Sequence, residues 1–352
     1  MPAGTYVSWG NQGQKLLSAE GVAFLQENLD DAIRDARSTR EVYGPTLVYN
    51  RAAMQWLMET DPTRSIGEWI DDVAATVMKW PVPILSAARI EDLPALDLEL
   101  PIVQTPVRLE PAVRSWFLER IAGDRPLALV GSPAGGIDPA VARAAGLETA
   151  DDRRGLPRRR GALLTPVAGV TDGLPTVFET VQPFTRNVAG PGATIVHAVD
   201  GSPTLVLDGR RRTLAWDPPD LEVEPLPQWR DEPIVTRLGS VVPYVTVARI
   251  LSLWLRDGEG PWVERIEADQ PVHLGAWRLA DGSRRLLLGN LEEGLVDPAG
   301  PRRSIEVSLP AAWRGGGEPR ARDLWREGAV TVKDGRLPIV LEQAESRLVA
   351  VE

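Results

Sequence analysis

The spacing of apolar residues changes once along this chain of 352 residues, near Gly258. Before that point, β-prone runs alternate with segments in which apolar residues recur every three or four positions, as in amphipathic helices. Beyond it, short runs alternate apolar and polar residues, as in strands with one buried face. The first pattern predicts an open, mostly parallel α/β sheet, and the second predicts a small antiparallel β-sandwich.

Residues 45–257 are predicted to form the α/β domain. Several of its helices have marked ends, such as the capping-box sequence that begins at Ser65 and the helix-ending Gly146. The predicted strands are 46–49, 83–87, 100–104, 127–131, 193–199, 203–207 and 212–216, and the predicted helices are 65–80, 110–121, 138–145 and 241–255. Residues 147–192 are rich in Gly, Pro and Arg and predict a long excursion with a strand near 163–167.

Residues 258–352 are predicted to form the β-sandwich, with about seven strands. The sequence Ala280-Asp281-Gly282-Ser283 predicts a hairpin turn, and Asp334-Gly335 predicts a second one. The predicted strands are 272–279, 284–290, 304–309, 321–325, 329–333, 337–341 and 347–351.

The first 44 residues predict a separate βα unit. A β-prone run over 4–10 precedes a polar loop, and residues 18–37 carry an apolar stripe at Val22, Leu25, Leu29 and Ile33. A stripe of this kind needs a covering surface, and we expect the helix to pack on the α/β domain.

Composition excludes several classes of chemistry. The chain has no Cys and only two His, so a thiolate nucleophile and a zinc site are not expected, and we predict neither a metal nor a cofactor. A net charge of -10 argues against a nucleic-acid partner. The basic run Arg153, Arg154, Arg158, Arg159 and Arg160 is predicted to be a solvated loop, with an anion site as the alternative.

We expect no membrane partner and a cytoplasmic location. No apolar run is long enough to span a bilayer, and residues 1–5 lack the basic and apolar regions of a signal peptide. The chain is rich in Trp, with 12 against 4 Phe and 4 Tyr. Indole rings stack on sugars in many proteins, but core packing is the expectation for most of these.

The order of these segments resembles the downstream part of barrel-fold glycoside hydrolases of the family 42 β-galactosidase kind. In that family a barrel is followed by a flavodoxin-like or glutamine-amidotransferase-like domain and a C-terminal β-domain. The resemblance rests on Gly4-Thr5-Tyr6-Val7-Ser8-Trp9-Gly10, Pro45-Thr46-Leu47-Val48-Tyr49-Asn50, Leu100-Pro101-Ile102-Val103-Gln104-Thr105, Asp323-Leu324-Trp325 and residues 337–352. It implies that residues 1–44 are the remnant of the last βα unit of a barrel.

The resemblance also implies where catalysis would occur. Such hydrolases use two carboxylates on barrel strands upstream of the last one, so no catalytic residue is assigned in this chain. Trp9 corresponds to a residue that walls a sugar subsite, or else is a core aromatic. Asn11 and Gln12 are candidate contacts to sugar hydroxyls, or else belong to a polar turn.

Two other short sequences invite a functional interpretation. Residues 131–136 follow a strand and precede a helix, but they match neither a nucleophile elbow nor a dinucleotide fingerprint, which favours a vestigial loop. Ser132, His197 and Asp217 contain the residue types of a triad, yet a structural role is the expectation for His197. Residues 216–220 are predicted to form a turn, with sugar or calcium binding as the alternative.

Three functional hypotheses follow. The first is a noncatalytic C-terminal module of a glycoside hydrolase, which packs on the catalytic barrel and supports oligomerisation or the sugar cleft. The second is a working hydrolase whose barrel is supplied upstream or by another chain. The third is a free-standing carbohydrate-binding or interaction protein.

Overall fold

A computed structural model describes most of the chain from Ile33 onward. The described residues are 33–60, 86–104, 106–130, 137–148, 159–180, 188–199, 201–208, 212–216, 241–263, 273–289, 303–314, 317–341 and 345–352. The helices are α1 (33–38), α2 (Arg51–Thr60), α3 (Pro111–Ala122), α4 (Pro139–Ala144), α5 (Val241–Arg256) and α6 (Ala311–Arg314), and a 3-10 helix spans Ile90–Ala95. The strands are β1 (Thr39–Tyr49), β2 (Ser86–Arg89), β3 (Asp97–Gln104), β4 (Leu127–Val130), β5 (Leu147–Glu148), β6 (Arg159–Leu163), β7 (Val177–Thr180), β8 (Val188–Ala189), β9 (Ala193–Val199), β10 (Ser202–Asp208), β11 (Thr213–Trp216), β12 (Trp262–Val263), β13 (His273–Leu279), β14 (Arg284–Gly289), β15 (Arg303–Ser308), β16 (Ala321–Asp323), β17 (Gly328–Val330), β18 (Arg336–Leu341) and β19 (Ser346–Val351).

One 14-stranded sheet runs through both the α/β part and the C-terminal part. Its order is β17-β16-β19-β14-β13-β1-β3-β4-β11-β10-β9-β6-β7, and β2 also pairs with β1. The central strands β2, β1, β3, β4 and β11 are parallel, and the other neighbours are antiparallel. The α/β part is therefore mixed rather than mostly parallel, because short connections such as the one at Gly201 join antiparallel strands.

Helices cover both faces of the central strands. The 3-10 helix, α3 and α4 lie on one face, where the core includes Val48, Ile90, Leu93, Leu98, Val103, Val113, Phe117, Leu129 and Val141. Helix α5 lies on the other face, where the core includes Leu100, Ile102, Leu205, Leu214, Val247, Ile250 and Leu251. This is the layered arrangement expected where strands and helices alternate.

The ends of α4 follow the predicted local signals. The Asp138 carboxylate accepts hydrogen bonds from the amides of Ala140 (3.0 Å) and Val141 (3.4 Å), and so caps the first turn. Gly146, just after the helix, has φ +74°, a conformation that glycine adopts without a steric cost.

The C-terminal part contains two packed sheets, as in a β-sandwich. A separate antiparallel sheet has the order β12-β15-β18. It shares a core with β13, β14 and β19 of the large sheet, which includes Ala276, Leu286, Leu288, Val307, Leu337, Ile339, Leu341, Val349 and Val351. Both predicted turns have positive φ values, +87° at Gly282, +52° at Asp334 and +71° at Gly335.

Strand β1 crosses the predicted boundary between residues 44 and 45. Along one edge its first half pairs antiparallel with β13 (Val42 opposite Trp277), and its second half pairs parallel with β2 (Thr46 opposite Ser86). Gly44, with φ +76°, lies at a shift in register between these two halves. The domain boundaries remain predictions.

The predicted helix over 18–37 lies partly outside the described residues. Its described end, α1, contacts the β13–β14 hairpin, where Ala280 N donates to Ser38 O (2.8 Å) and Arg285 Nε lies 3.2 Å from Asp35 Oδ2. The expected packing of the stripe Val22, Leu25 and Leu29 on the α/β domain lies outside the described residues and stays a prediction. In the described part of the chain, no helix is both long and apolar enough to cross a bilayer.

The basic run is not wholly a loop. Arg159 and Arg160 belong to β6, opposite Thr180 and Glu179 of β7. The Gly and Pro residues nearby predict a loop, but pairing of β6 with β7 outweighs this local preference. The other arginines of the run lie outside the described residues.

Candidate functional site

The carboxyl ends of the central strands form the candidate functional site. In doubly wound sheets, ligands bind outside these ends where the strand order reverses. Strands β2 and β3 lie on opposite sides of β1, so this reversal occurs at β1. The described residues at this edge include Tyr49 at the end of β1, Asn50 directly after it, and residues 106–108 after β3.

Asn50 holds the two neighbouring strand ends together. Its Oδ1 accepts from Ala52 N (3.0 Å), and its Nδ2 donates to Val107 O (3.1 Å). The side chain thus caps α2 and ties the end of β1 to the segment after β3. The role of Asn50 was not predicted, although an Asn between a strand and a helix is a typical N-cap.

Among the described residues, the exposed groups at this edge are polar and include no nucleophile held beside a base. Arg108, with φ +52°, forms an ion pair with Glu59 of α2, and this pair lowers the pKa of the Glu59 carboxyl. Tyr49 is 43% exposed. A guanidinium, a carboxylate and a phenol can hydrogen-bond a polar ligand, but they lack a nucleophile held beside a base.

The structure leaves the sequence-predicted sugar contacts untested. Trp9, Asn11 and Gln12 lie outside the described residues, as do the whole loop 131–136 and Asp217. Of the three residues considered for a triad, only His197 is described.

His197 is enclosed in the protein, consistent with the structural role expected for it. It is 0% exposed in β9, its Nε2 lies 3.0 Å from Thr246 Oγ1 of α5, and Phe178 contacts its ring edge-to-face. Within the described part of the protein its Nδ1 has no hydrogen-bond partner. Burial lowers the pKa of His197 to about 3, so the ring is neutral at physiological pH and has no access to a solvent-borne substrate.

The Trp side chains that the structure describes pack in the protein rather than forming an exposed sugar platform. Trp277 and Trp313 are buried, with 3% and 2% of their surface exposed. Trp116, Trp254 and Trp325 are partly buried. This agrees with the expectation of core packing for most of the Trp residues.

We expect purified protein to contain no stoichiometric divalent metal. Within the described ranges, no three His, Asp or Glu side chains cluster in a way that would hold a metal ion. Elemental analysis after dialysis against a chelator and back into metal-containing buffer tests this expectation. A metal retained at one equivalent per chain would contradict it.

The fold is similar to that of solved β-galactosidases. The β-galactosidase from Bacillus circulans sp. alkalophilus matches 95% of this chain with a TM-score of 0.54 and 12% identity. The enzyme from Rahnella sp. R3 matches 94% with a TM-score of 0.50 and 11% identity. This chain spans only 45% and 44% of those two proteins. No protein-family model and no curated protein matches the sequence.

Proposed function

We propose that this chain is a noncatalytic C-terminal module of a glycoside hydrolase, which packs on a catalytic barrel and supports oligomerisation or the sugar cleft. The observation that carries the proposal is the similarity of fold to two β-galactosidases over nearly the whole chain, at less than half of their length. The sequence resemblance to the downstream part of family 42 enzymes points to the same relationship. Partners are then the barrel, further copies of the chain or carbohydrate, and the cytoplasm is the proposed location.

The described carboxyl groups support a noncatalytic role. A glycosidase needs a general acid with a raised pKa near a second carboxylate. Arginine partners lower the pKa values of Glu41, Glu59 and Asp92. Among the described carboxyls with a shifted pKa, Glu99 alone has a raised one, and backbone amides of Gly44 and Gly260 occupy its two oxygens.

We expect the isolated chain to hydrolyse no member of a panel of nitrophenyl glycosides above the rate in buffer. The physical reason is that a two-carboxylate site needs a rigid scaffold, which in this family is the barrel. Release of nitrophenol at high protein concentration is the measurement. Turnover that disappears when one Asp or Glu of this chain is replaced would contradict the proposal and favour a working hydrolase.

Sugar binding without turnover would distinguish a free-standing carbohydrate-binding protein from a module that packs on a barrel. Titration calorimetry with galactosides and with glucosides tests whether the isolated chain is a carbohydrate-binding protein. Specific, saturable binding in the absence of a barrel would favour a free-standing binding protein over a packing module.

A further inference from the structure

Glu99 of β3 makes an unusual pair of contacts. Its Oε2 accepts from Gly44 N (2.6 Å) and its Oε1 accepts from Gly260 N (2.8 Å). These glycines are 55 and 161 residues away along the chain. Hydrogen bonds to an ionised carboxylate are stronger than those between neutral groups, so this one side chain joins three distant segments.

Both glycines lie where the central strands connect to the C-terminal strands β12–β19. Gly44 marks the point in β1 where the pairing partner changes from β13 to β2. Gly260 lies between the end of α5 and the start of β12. The Glu99 carboxylate therefore contacts both the pairing junction and the covalent connection between the two groups of strands.

The local sequence is fitted to this carboxylate. A Cβ atom on Gly258 would overlap Glu99 Oε1, and one on Gly260 would lie 2.5 Å from Glu99 Oε2 and 2.7 Å from Tyr43 Cβ. Contacts this short do not occur for real Cβ atoms, so a side chain at either position would displace the carboxylate. Glycine at both positions lets this backbone segment come close to the carboxylate, to which Gly260 N donates.

The free energy of folding alone does not explain why a carboxylate, rather than a neutral side chain, occupies position 99. Burial raises the pKa of Glu99 above its usual value, although the amides of Gly44, Gly260 and Glu259 act in the opposite direction. The charged form is thus less favourable here than in water. For a partly buried carboxylate of this kind, directed hydrogen bonds to the backbone define a specific arrangement of the segments that donate them.

We propose that the Glu99 carboxylate is a clip that fixes the orientation of the C-terminal strands β12–β19 relative to the central strands. Glu99 is a positioning residue in this role. The clip is independent of whether the chain binds sugar or a barrel.

The substitution Glu99→Gln tests the clip, because the amide keeps the shape but leaves only one oxygen to accept from the backbone. Because one acceptor oxygen then serves two donors, we expect the amide hydrogen of Gly44, of Gly260 or of both to exchange with solvent about ten- to a hundredfold faster than in the wild type. Residue-resolved hydrogen exchange by NMR is the measurement. The matched control is Glu91→Gln, which removes an exposed carboxylate from the 3-10 helix and should leave both rates unchanged.

A distance measurement tests the orientation itself. The chain has no Cys, so two introduced cysteines can be labelled specifically. Glu119→Cys and Ala329→Cys place one spin label at an exposed position of α3 and one at an exposed position of β17. We expect one narrow distance distribution in the wild type and a broader one in Glu99→Gln. Gly260→Ala should have the same effect, whereas Gly317→Ala, with no atom within 4 Å of the added Cβ, should not.

Unchanged exchange rates and an unchanged distance distribution in a folded Glu99→Gln variant would overturn the proposal. If that variant does not fold, the exchange rates of the wild-type protein test the clip instead. A clip requires slow exchange at both Gly44 and Gly260, so rapid exchange at either amide in the wild type would also overturn it.

Discussion

Replacing Arg120 by Met is expected to destabilise the protein by about 3 to 5 kcal/mol. Arg120 is 3% exposed, and its guanidinium donates to the carbonyls of Pro126, Leu98 and Glu99, each at 2.7 Å. Methionine fills a similar volume but leaves these acceptors without their donor. Urea unfolding followed by circular dichroism gives the free energy of unfolding.

Arg120 remains charged at neutral pH, so the hydrogen bonds from its Nε and Nη2 to the three carbonyls are charge-assisted. Burial lowers the pKa of Arg120 to about 9, and the charge of Arg125 acts in the same direction. The guanidinium also lies 5.2 Å from the centre of the Trp116 ring, an additional favourable contact.

Arg125→Met is the matched control, since Arg125 is near Arg120 but its side chain is 49% exposed and pairs with Asp97 at the surface. Exposed ion pairs contribute little, so this variant should unfold at nearly the wild-type urea concentration. Equal, small effects of the two substitutions would show that the hydrogen bonds of Arg120 do not support the junction of β3, α3 and β4.

Local structure was predictable where a short sequence carries its own signal. The strand over Ala193–Val199 and the hairpin turn at Gly282 were predicted from β-prone residues and turn chemistry within a few positions. Helix α5 was predicted to begin at Val241 and to end at Leu255, one residue short of its observed end, because its apolar spacing is regular.

Pairing between distant segments was not predictable in the same way. The continuity of the sheet depends on β1 residues such as Glu41 lying opposite Arg278 of β13, 237 residues away. The Glu99 clip and the buried Arg120 likewise depend on backbone groups that a single sequence does not associate with them. Local patterns fix which residues form strands, but the order of those strands is decided by packing across the whole chain.

The same limit applies to the candidate site. The alternation of strands and helices predicts a carboxyl edge, and Asn50 lies at it as the sequence order requires. The ion pair of Arg108 with Glu59 joins the segment after β3 to α2 and has no counterpart in any local motif. Trp9, Asn11 and Gln12 remain candidate sugar contacts by resemblance alone.

Acidification from pH 7 to pH 4 is expected to cost about 3 kcal/mol of stability through His197 alone. Burial lowers the pKa of His197 to about 3, against 6.5 for an unperturbed imidazole. The unfolded chain therefore binds a proton below pH 6.5 that the folded chain does not bind until about pH 3. The stability due to the neutral ring is fully present above pH 6.5 and is lost as the pH falls toward 3.

The variant His197→Gln isolates this contribution, because glutamine can still hydrogen-bond Thr246 Oγ1 but does not titrate. Urea unfolding at a series of pH values should show a shallower loss of stability for this variant below pH 6.5 than for the wild type, by close to one proton per molecule. If His197→Gln and the wild type lose stability in parallel down to pH 4, then His197 is protonated in the folded protein and β9 and α5 do not exclude water from its ring.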